Sequence, residues 1–209
     1  MEGIASLNLL RQAHHIDQDV TLAINALHCP VTDAVWQVFS NKEIWFVLYA
    51  AVLVFLYIRL GWKRATIAVL ACVLTIVFCD QLANFTKAYF ERLRPCWDQN
   101  MVDGALHILE GKGNLYGFYS AHAANAMGFA ACSYFCFRND KTHTYRIYGW
   151  CIFIWAILVG MSRVFVGKHF FGDVCVGFAV GLLAGWALAM LGRWIIGRLR
   201  LSAPGSAGR

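Results

Sequence analysis

The sequence predicts an all-α membrane protein: a polytopic helical bundle of about five transmembrane helices, with amphipathic interfacial helices at the N-terminus. Of the 209 residues, 59% are hydrophobic and 14% are charged, and the mean hydropathy is +0.54. A soluble domain is about half apolar and about a quarter charged. So large an apolar excess does not fit inside a water-soluble globule of this length. The composition therefore argues against a soluble enzyme, a disordered chain and a disulfide-stapled secreted scaffold.

Residues 1–43 differ from the rest of the chain because polar and apolar positions alternate there without a long apolar run. Positions 10–37 are interrupted at Pro30 and predict two amphipathic helices that lie on the membrane surface. A secretory signal peptide is not expected, since no basic start precedes a short apolar core and a small-residue cleavage site.

Residues 44–201 contain five apolar segments, which predict the transmembrane bundle. They run from Ile44 to Ile58, Ala65 to Phe85, Ala123 to Phe137, Ile147 to Met161, and Val174 to Leu191. A span needs about 20 residues, so several segments must include polar neighbours at headgroup depth. No linker divides them, so we expect residues 1–201 to form one membrane-embedded domain. Residues 202–209 are expected to be a disordered tail or a cloning remnant.

The distribution of charge predicts the orientation. With five spans, the N-terminus and the loops 86–122 and 162–173 share one side. The opposite side carries ten of the 18 basic residues and only one of the 12 acidic residues. Because basic loops remain in the cytoplasm, the first side should face outward. The net charge is +6, but the basic residues interrupt apolar runs and do not form polar basic stretches. We therefore expect no nucleic acid partner.

The eight cysteines do not indicate a metal or redox centre. Six of them lie in or beside apolar segments, where a cysteine acts as a small hydrophobic residue. No CxxC pair occurs, which argues against zinc and thioredoxin-like chemistry. Cys29 and Cys96 both fall on the outward side, where a disulfide between them is chemically feasible.

The first of three polar clusters combines Lys87, Arg94 and Pro95. Seven residues are two helical turns, so Lys87 and Arg94 should share a helix face. Their axial separation of roughly 10 Å allows two long side chains to close around one anion. Pro95 should end the helix and favour an extended backbone at Arg94. The alternative is a basic cluster that anchors the chain to lipid headgroups.

The second cluster is the Tyr119–His122 segment, directly before the third apolar run. The Ser120 hydroxyl and the free N–H groups of a helix start are suited to bind an anion. The alternative is that Ser120 is simply the helix N-cap and His122 an interfacial histidine.

The third cluster contains Arg163, His169 and Asp173. Since His169 and Asp173 are four residues apart, the carboxylate can accept from one ring nitrogen and leave the other free as a nucleophile or base. Arg163 adds a two-pronged donor for phosphate oxygens. The alternative is an intramembrane ion pair whose members only neutralise each other. Because a charge at the bilayer centre costs about 3 kcal/mol, we favour a functional role.

Together these clusters resemble the type 2 phosphatidic acid phosphatase (PAP2) superfamily, whose motifs read K-x6-R-P, P-S-G-H and S-R-x5-H-x3-D. The matching residues are Lys87, Arg94, Pro95, Ser120, His122, Ser162, Arg163, His169 and Asp173. Tyr119 replaces the usual Pro and Ala121 the usual Gly. Ala121 keeps its backbone N–H but loses the freedom of Gly at positive φ, so we expect a slightly altered loop that retains activity.

The resemblance implies a two-step phosphoryl transfer that needs neither a metal nor another cofactor. His169 would attack phosphorus, Asp173 would orient its ring, and His122 would protonate the leaving oxygen and then activate water. The phosphate oxygens would be held by a set of fixed positive groups. This phosphate-binding set is Lys87, Arg94, Ser120, Ala121 through its N–H, and Arg163.

The resemblance also implies a lipid phosphate or diphosphate as substrate, arriving laterally at headgroup depth. Undecaprenyl diphosphate is the first expectation, with lipid A phosphates and phosphatidylglycerol phosphate as alternatives. The Cys96–Gly117 loop should overhang the site and select the headgroup. The implied location is a bacterial inner membrane with the site facing the periplasm. The sequence contains no signal for an oligomeric state.

Two non-enzymatic alternatives and one soluble enzyme branch compete with this interpretation. A transporter could use Asp80, Asn84 and Lys87 along an ion path, but it would spread polar groups through the bilayer. An inactive lipid-binding protein would be expected to lack His169 or Asp173. The vanadate-dependent haloperoxidases share the motifs but are soluble, and the five predicted spans argue against them.

Overall fold

The structure is a computed structural model that describes residues 2–199, with side chains from residue 8 onward. Eight α-helices and one 3-10 helix occupy this range, and no β-strand occurs within it. The helices are α1 (Glu2–Asn25), α2 (Pro30–Ser40), α3 (Phe46–Leu60), α4 (Trp62–Phe90), α5 (Gln99–Asp103), α6 (Ala121–Phe137), α7 (Arg146–Phe165) and α8 (Phe171–Arg198), and the 3-10 helix is Pro95–Trp97. The all-α prediction is confirmed.

The apolar segments became α3, α4, α6, α7 and α8. Three of them, α4, α7 and α8, are long and apolar enough to cross a membrane, while α3 is apolar but has 15 residues. The central α6 has 17 residues and is buried over most of its length. A membrane helical bundle is therefore confirmed, and the count of five spans stays a prediction.

The N-terminal region forms two helices, as predicted, and they separate beside Pro30. Cys29 caps α2 through its sulfur, which accepts from the Thr32 N–H, and Pro30 takes the first helical position. Cys29 is exposed and Cys96 is buried, and both are free thiols. The disulfide considered between them is therefore not formed in the structure, in which one thiol caps α2 and the other is buried. The predicted tail at 202–209 lies outside the described residues.

Helix α6 lies at the centre of the bundle and contacts α4, α7 and α8. Its packing on α8 depends on glycines spaced four residues apart along one α8 face, at 177, 181 and 185. A Cβ at Gly181 would lie 2.3 Å from the Ala124 carbonyl oxygen. Small residues of this kind let membrane helices approach closely. The contact brings the N-terminal ends of α6 and α8 together, and the Ser120 N–H donates to the Asp173 carbonyl at 3.1 Å.

Candidate active site

A cavity of about 510 Å³ opens at the end of the bundle where α4, α6 and α7 meet the α7–α8 connection. Six of the eight predicted site residues line it: Lys87, Arg94, Ala121, His122, Arg163 and His169. The other two, Ser120 and Asp173, are fully buried beside this lining. The structure therefore brings the three polar clusters into one place. Lys42 and Asn125 also line the cavity, and sequence reasoning missed both because they belong to no recognisable motif.

The first cluster reaches the cavity differently from the prediction. Helix α4 ends at Phe90, and Glu91 adopts a left-handed conformation (φ 46°). Arg94 therefore lies in an extended segment after the helix (φ −74°, ψ 155°), not on the same helix face as Lys87. The predicted shared face is wrong because the helix ends before Pro95 is reached. Arg94 is held instead by the opposite loop, since its Nε donates to the Tyr116 carbonyl at 3.1 Å.

The second cluster forms the start of α6. Ser120 is the N-cap, and its hydroxyl accepts from the Ala123 N–H at 3.5 Å, so the structural alternative for Ser120 is confirmed. Its contribution to phosphate binding stays a prediction. Ala121 is the first helical residue and has no positive φ. The position therefore does not need the conformational freedom of glycine.

Tyr119, at the usual Pro position, is 1% exposed and fixes this segment to α4. Its hydroxyl donates to the Cys79 carbonyl at 3.0 Å, and the Thr86 hydroxyl donates to the Phe118 carbonyl at 3.1 Å. These two bonds hold the start of α6 beside Lys87. The tyrosine therefore supplies an anchor where the family pattern has a proline.

The third cluster is shaped by a tight turn between α7 and α8. The backbone N–H groups of Lys168 and His169 donate to the Arg163 carbonyl at 3.0 and 3.1 Å. Gly167 takes a positive φ of 75° in this turn, which L side chains rarely adopt. The turn places the Arg163 and His169 side chains in the same cavity wall.

His169 and Asp173 form the predicted couple. The His169 Nδ1 lies 3.4 Å from the Asp173 Oδ2, and the same oxygen accepts from the Phe170 N–H at 3.2 Å. The Asp173 carboxylate therefore both caps α8 and orients the imidazole of His169. Burial, followed by the nearby charges of Arg94, Arg163 and Lys87, lowers the pKa of His169 well below its ordinary value of 6.5. The ring is neutral at pH 7 as a result, which a nucleophile requires.

Arg163 is buried and only partly paired. Its Nη1 donates to the Ser40 hydroxyl and lies 3.4 Å from the Glu110 Oε2. Its Nε is buried and has no hydrogen-bond partner among the described residues. A buried guanidinium nitrogen without an acceptor is costly, and an anion in the cavity would supply one.

Arg92 connects the couple to α1, and no pattern in the sequence indicated this contact. Its Nη1 donates to the Asp173 Oδ1 at 2.6 Å and its Nη2 to the Asp17 Oδ2 at 2.7 Å. Asp17 also accepts from the Gly172 N–H at 2.8 Å, and the Arg92 guanidinium stacks 4.2 Å above the Phe170 ring. Arg92 occupies a variable position of the first motif, so spacing alone could not identify it.

Apolar side chains also line the cavity, together with Asp80 and Gln81 of α4. The apolar lining comes from α2, α3, α4, α7 and the α2–α3 connection: Phe39, Trp45, Phe46, Tyr49, Ile76, Val77 and Val159. Phe46 and Val77 are about half exposed. The cavity therefore combines cationic side chains with apolar side chains, some of which are exposed on the surface of the bundle.

Comparison with known proteins gives consistent matches. The family model of the PAP2 superfamily matches residues 65–196. The chain is 33% identical over 191 residues to a lipid A 4'-phosphatase of Bacteroides thetaiotaomicron, covering 90% of this chain and 82% of that protein. A lipid A 4'-phosphatase of Porphyromonas gingivalis is 32% identical over 171 residues, covering 81% of this chain and 70% of that protein.

The fold is similar to that of a solved PAP2-type transmembrane phosphatidylglycerolphosphate phosphatase from Bacillus subtilis. The TM-score is 0.69 at 20% identity, and the match covers 88% of each chain. This likeness concerns the fold.

Proposed function

The chain belongs to the PAP2 superfamily and is a membrane lipid phosphatase, and we propose that it removes a phosphate group from lipid A through a phosphohistidine at His169. The observation that carries the proposal is the cavity itself, in which the cationic side chains of Lys87, Arg94 and Arg163 lie together with the buried His169. Two of the relatives are lipid A 4'-phosphatases, which supports this substrate. They favour lipid A over undecaprenyl diphosphate, so our first expectation from the sequence is revised.

In the first step, His169 Nε2 attacks phosphorus while Nδ1 faces Asp173. A P–N bond forms and the P–O bond to the lipid breaks. His122, on the cavity wall, takes up a proton as the phosphate anion binds beside it and donates that proton to the leaving oxygen. In the second step, His122 removes a proton from water, the hydroxide attacks phosphorus, and the P–N bond breaks to release inorganic phosphate.

The cationic side chains hold the phosphate during both steps. Lys87, Arg94 and Arg163 face the cavity, and the open Nε of Arg163 supplies a donor with no competing acceptor among the described residues. The Ala121 N–H and the Ser120 hydroxyl complete the proposed phosphate-binding set. Fixed donors in a site that excludes water stabilise the charge of the transition state. This arrangement provides the positive charge that metal ions supply in other phosphoryl-transfer enzymes.

The apolar side chains of the cavity suit the acyl chains of a lipid. A phosphate attached to such chains would enter sideways from the bilayer, with its headgroup at the cationic side chains. We propose that the cavity faces the periplasm from a bacterial inner membrane. The charge distribution supports this orientation, since Arg59, Arg64, Lys141 and Arg193 surround a separate cavity near the α3–α4 connection and the C-terminal half of α8.

The test is phosphate release by the purified protein from four lipids: lipid A, undecaprenyl diphosphate, phosphatidylglycerol phosphate and phosphatidic acid. We expect the fastest release from lipid A, unchanged in EDTA and abolished in His169→Gln. Release from none of the four would overturn the proposed activity. Clear inhibition by EDTA would overturn the metal-independent mechanism, and a faster reaction with another lipid would overturn the substrate.

A further inference from the structure

Three metal-ligating side chains converge where α1 and α2 meet the loop before α6. His28 lies between the two helices, Asp33 lies in the first turn of α2, and His107 lies in that loop. Each offers one ligand atom, and the three atoms lie within 4.8 Å of one another. None of the three residues lines the phosphate cavity. The cluster is therefore separate from the proposed reaction.

The contacts within the cluster leave one strong ligand unused. The His107 Nε2 lies 3.0 Å from the Asp33 Oδ2, and the rings of His28 and His107 stack at 3.7 Å with 9° between their planes. The Asp33 Oδ1 is buried and has no hydrogen-bond partner among the described residues. Leaving a buried acceptor unpaired is costly, and a cation bound to this carboxylate would remove that cost.

We propose that His28, Asp33 and His107 bind a divalent transition-metal ion, with Zn²⁺ as the first candidate. Two imidazoles and one carboxylate form a common three-residue ligand set for zinc, with water as the fourth ligand. Imidazole also disfavours Mg²⁺ and Ca²⁺, which take oxygen ligands.

The Asp33–His107 pair needs little adjustment to accept the ion, whereas the His28 ring must turn out of its stack on His107. Zinc–ligand distances of about 2.0 Å put two ligand atoms roughly 3.3 Å apart in a tetrahedral site. The Asp33–His107 pair is already close to that separation. His28 is exposed, so its side chain is free to rotate and complete the site.

The ion would fasten the loop that lies over the phosphate cavity. Asn25 at the end of α1 accepts from the His107 N–H at 2.7 Å and donates to the Val164 carbonyl at 3.1 Å. The same loop carries Glu110, which contacts Arg163. A bound ion would add a second tie between the α1–α2 connection and this loop, without entering the reaction.

The experiment uses the full-length protein in detergent, without a polyhistidine tag, after treatment with a chelator. Zn²⁺ and Mg²⁺ are titrated separately by calorimetry into wild type, His28→Ala, Asp33→Asn and the control His143→Ala. His143 is exposed and lies in the α6–α7 connection. We expect one saturable zinc site in wild type and control, and binding at least about 100-fold weaker in the two ligand variants. Zinc, but not Mg²⁺, should raise the Tm of wild type and control only.

Absence of saturable zinc binding in wild type would overturn the proposal, as would equal zinc affinity in His28→Ala and wild type. Equal affinity in that variant would place the ion elsewhere, for example on His122 and His169. Phosphate release by the chelator-treated protein is measured in parallel. It tests the proposed function independently, because the zinc site contains none of the proposed catalytic residues.

Discussion

Arg92 donates to the Asp173 carboxylate at 2.6 Å, although no motif predicts that these two residues meet. Asp173 is fully buried and its second oxygen faces His169. The Nη2 of Arg92 donates to the Oδ2 of Asp17 in α1. The orientation of the proposed nucleophile therefore depends on a residue of the N-terminal helix, through Arg92. This gives α1 a positioning role that its amphipathic pattern did not indicate.

Replacing Arg92 should reduce turnover more than substrate binding. Arg92→Gln leaves the buried Asp173 without its cationic partner, and breaking a buried pair typically costs about 3–5 kcal/mol of stability. We expect kcat to fall about 10–100-fold with KM changed less than threefold, because Arg92 does not line the cavity. Steady-state kinetics measure both quantities.

The matched variants for this prediction are Arg92→Lys and Asp17→Asn. Arg92→Lys keeps the charge and should recover part of the kcat, whereas Asp17→Asn should have the smaller effect because Asp17 does not contact the couple directly. A parallel rise of KM in Arg92→Gln would instead assign Arg92 to substrate binding.

His169→Gln should abolish turnover, because no other group supplies the nucleophile in the proposed mechanism. A loss of at least about 10⁴-fold is expected from other enzymes in which a nucleophile was removed. Rapid acid-free quenching followed by mass spectrometry should detect a phosphorylated peptide containing His169 in wild type. A loss of less than about 100-fold in the turnover of His169→Gln, relative to wild type, would contradict the assignment of His169 as the nucleophile.

The Arg163→Lys variant should have a much lower kcat than wild type, although the substitution preserves the positive charge. Lysine lacks the planar guanidinium and with it the unpaired Nε that lies buried beside the cavity. Loss of one such donor typically lowers kcat about 100–1000-fold. Lys112→Arg, a change between basic residues at an exposed position of the loop before α6, is the matched control and should behave like wild type.

The activity of the enzyme should decline on the acid side only at low pH. The neutral form of His169 exists above its pKa, and burial together with the Arg94 and Arg163 charges lowers that pKa well below 6.5. Activity should therefore persist as the pH falls through 6.5 and be lost only below it. The profile of kcat/KM reports groups of the free enzyme.

The substrate phosphate itself titrates near pH 6, at about the value of a phosphate monoester. Comparing a monophosphate with a diphosphate substrate separates the two effects, because only the substrate ionisation changes. An acid limb above pH 6.5 that is the same for both substrates would contradict the lowered pKa of His169.

The close contact between α6 and α8 gives a stability prediction. A Cβ at Gly181 would meet the Ala124 carbonyl at 2.3 Å, so Gly181→Ala should destabilise the protein by about 1–3 kcal/mol. Gly197 lies on the same helix with nothing within 4 Å of its built Cβ, and Gly197→Ala is the control. Thermal unfolding in detergent should show a lower Tm for Gly181→Ala only. An equal Tm in both variants would contradict the contact.

The residues that meet at the cavity were predictable from sequence because the motifs fix local spacing. Six predicted residues line one cavity, and His169 and Asp173 meet as their four-residue spacing required. The end of α4 was not predictable from Pro95 alone, since Glu91 terminates the helix in a left-handed conformation. The Asp17–Arg92 pair joins positions 75 apart, and long-range contacts of this kind leave no periodic signal in either segment.

The contact of Asp17 with both Arg92 and Gly172 has a consequence for assembly during synthesis. Asp17 lies in α1, whereas Gly172 lies in the first turn of α8, the last helix among the described residues. The Asp17–Gly172 contact therefore forms only after α8 has been synthesised. The Asp17–Arg92–Asp173 network is complete only when α1 and α8 have docked.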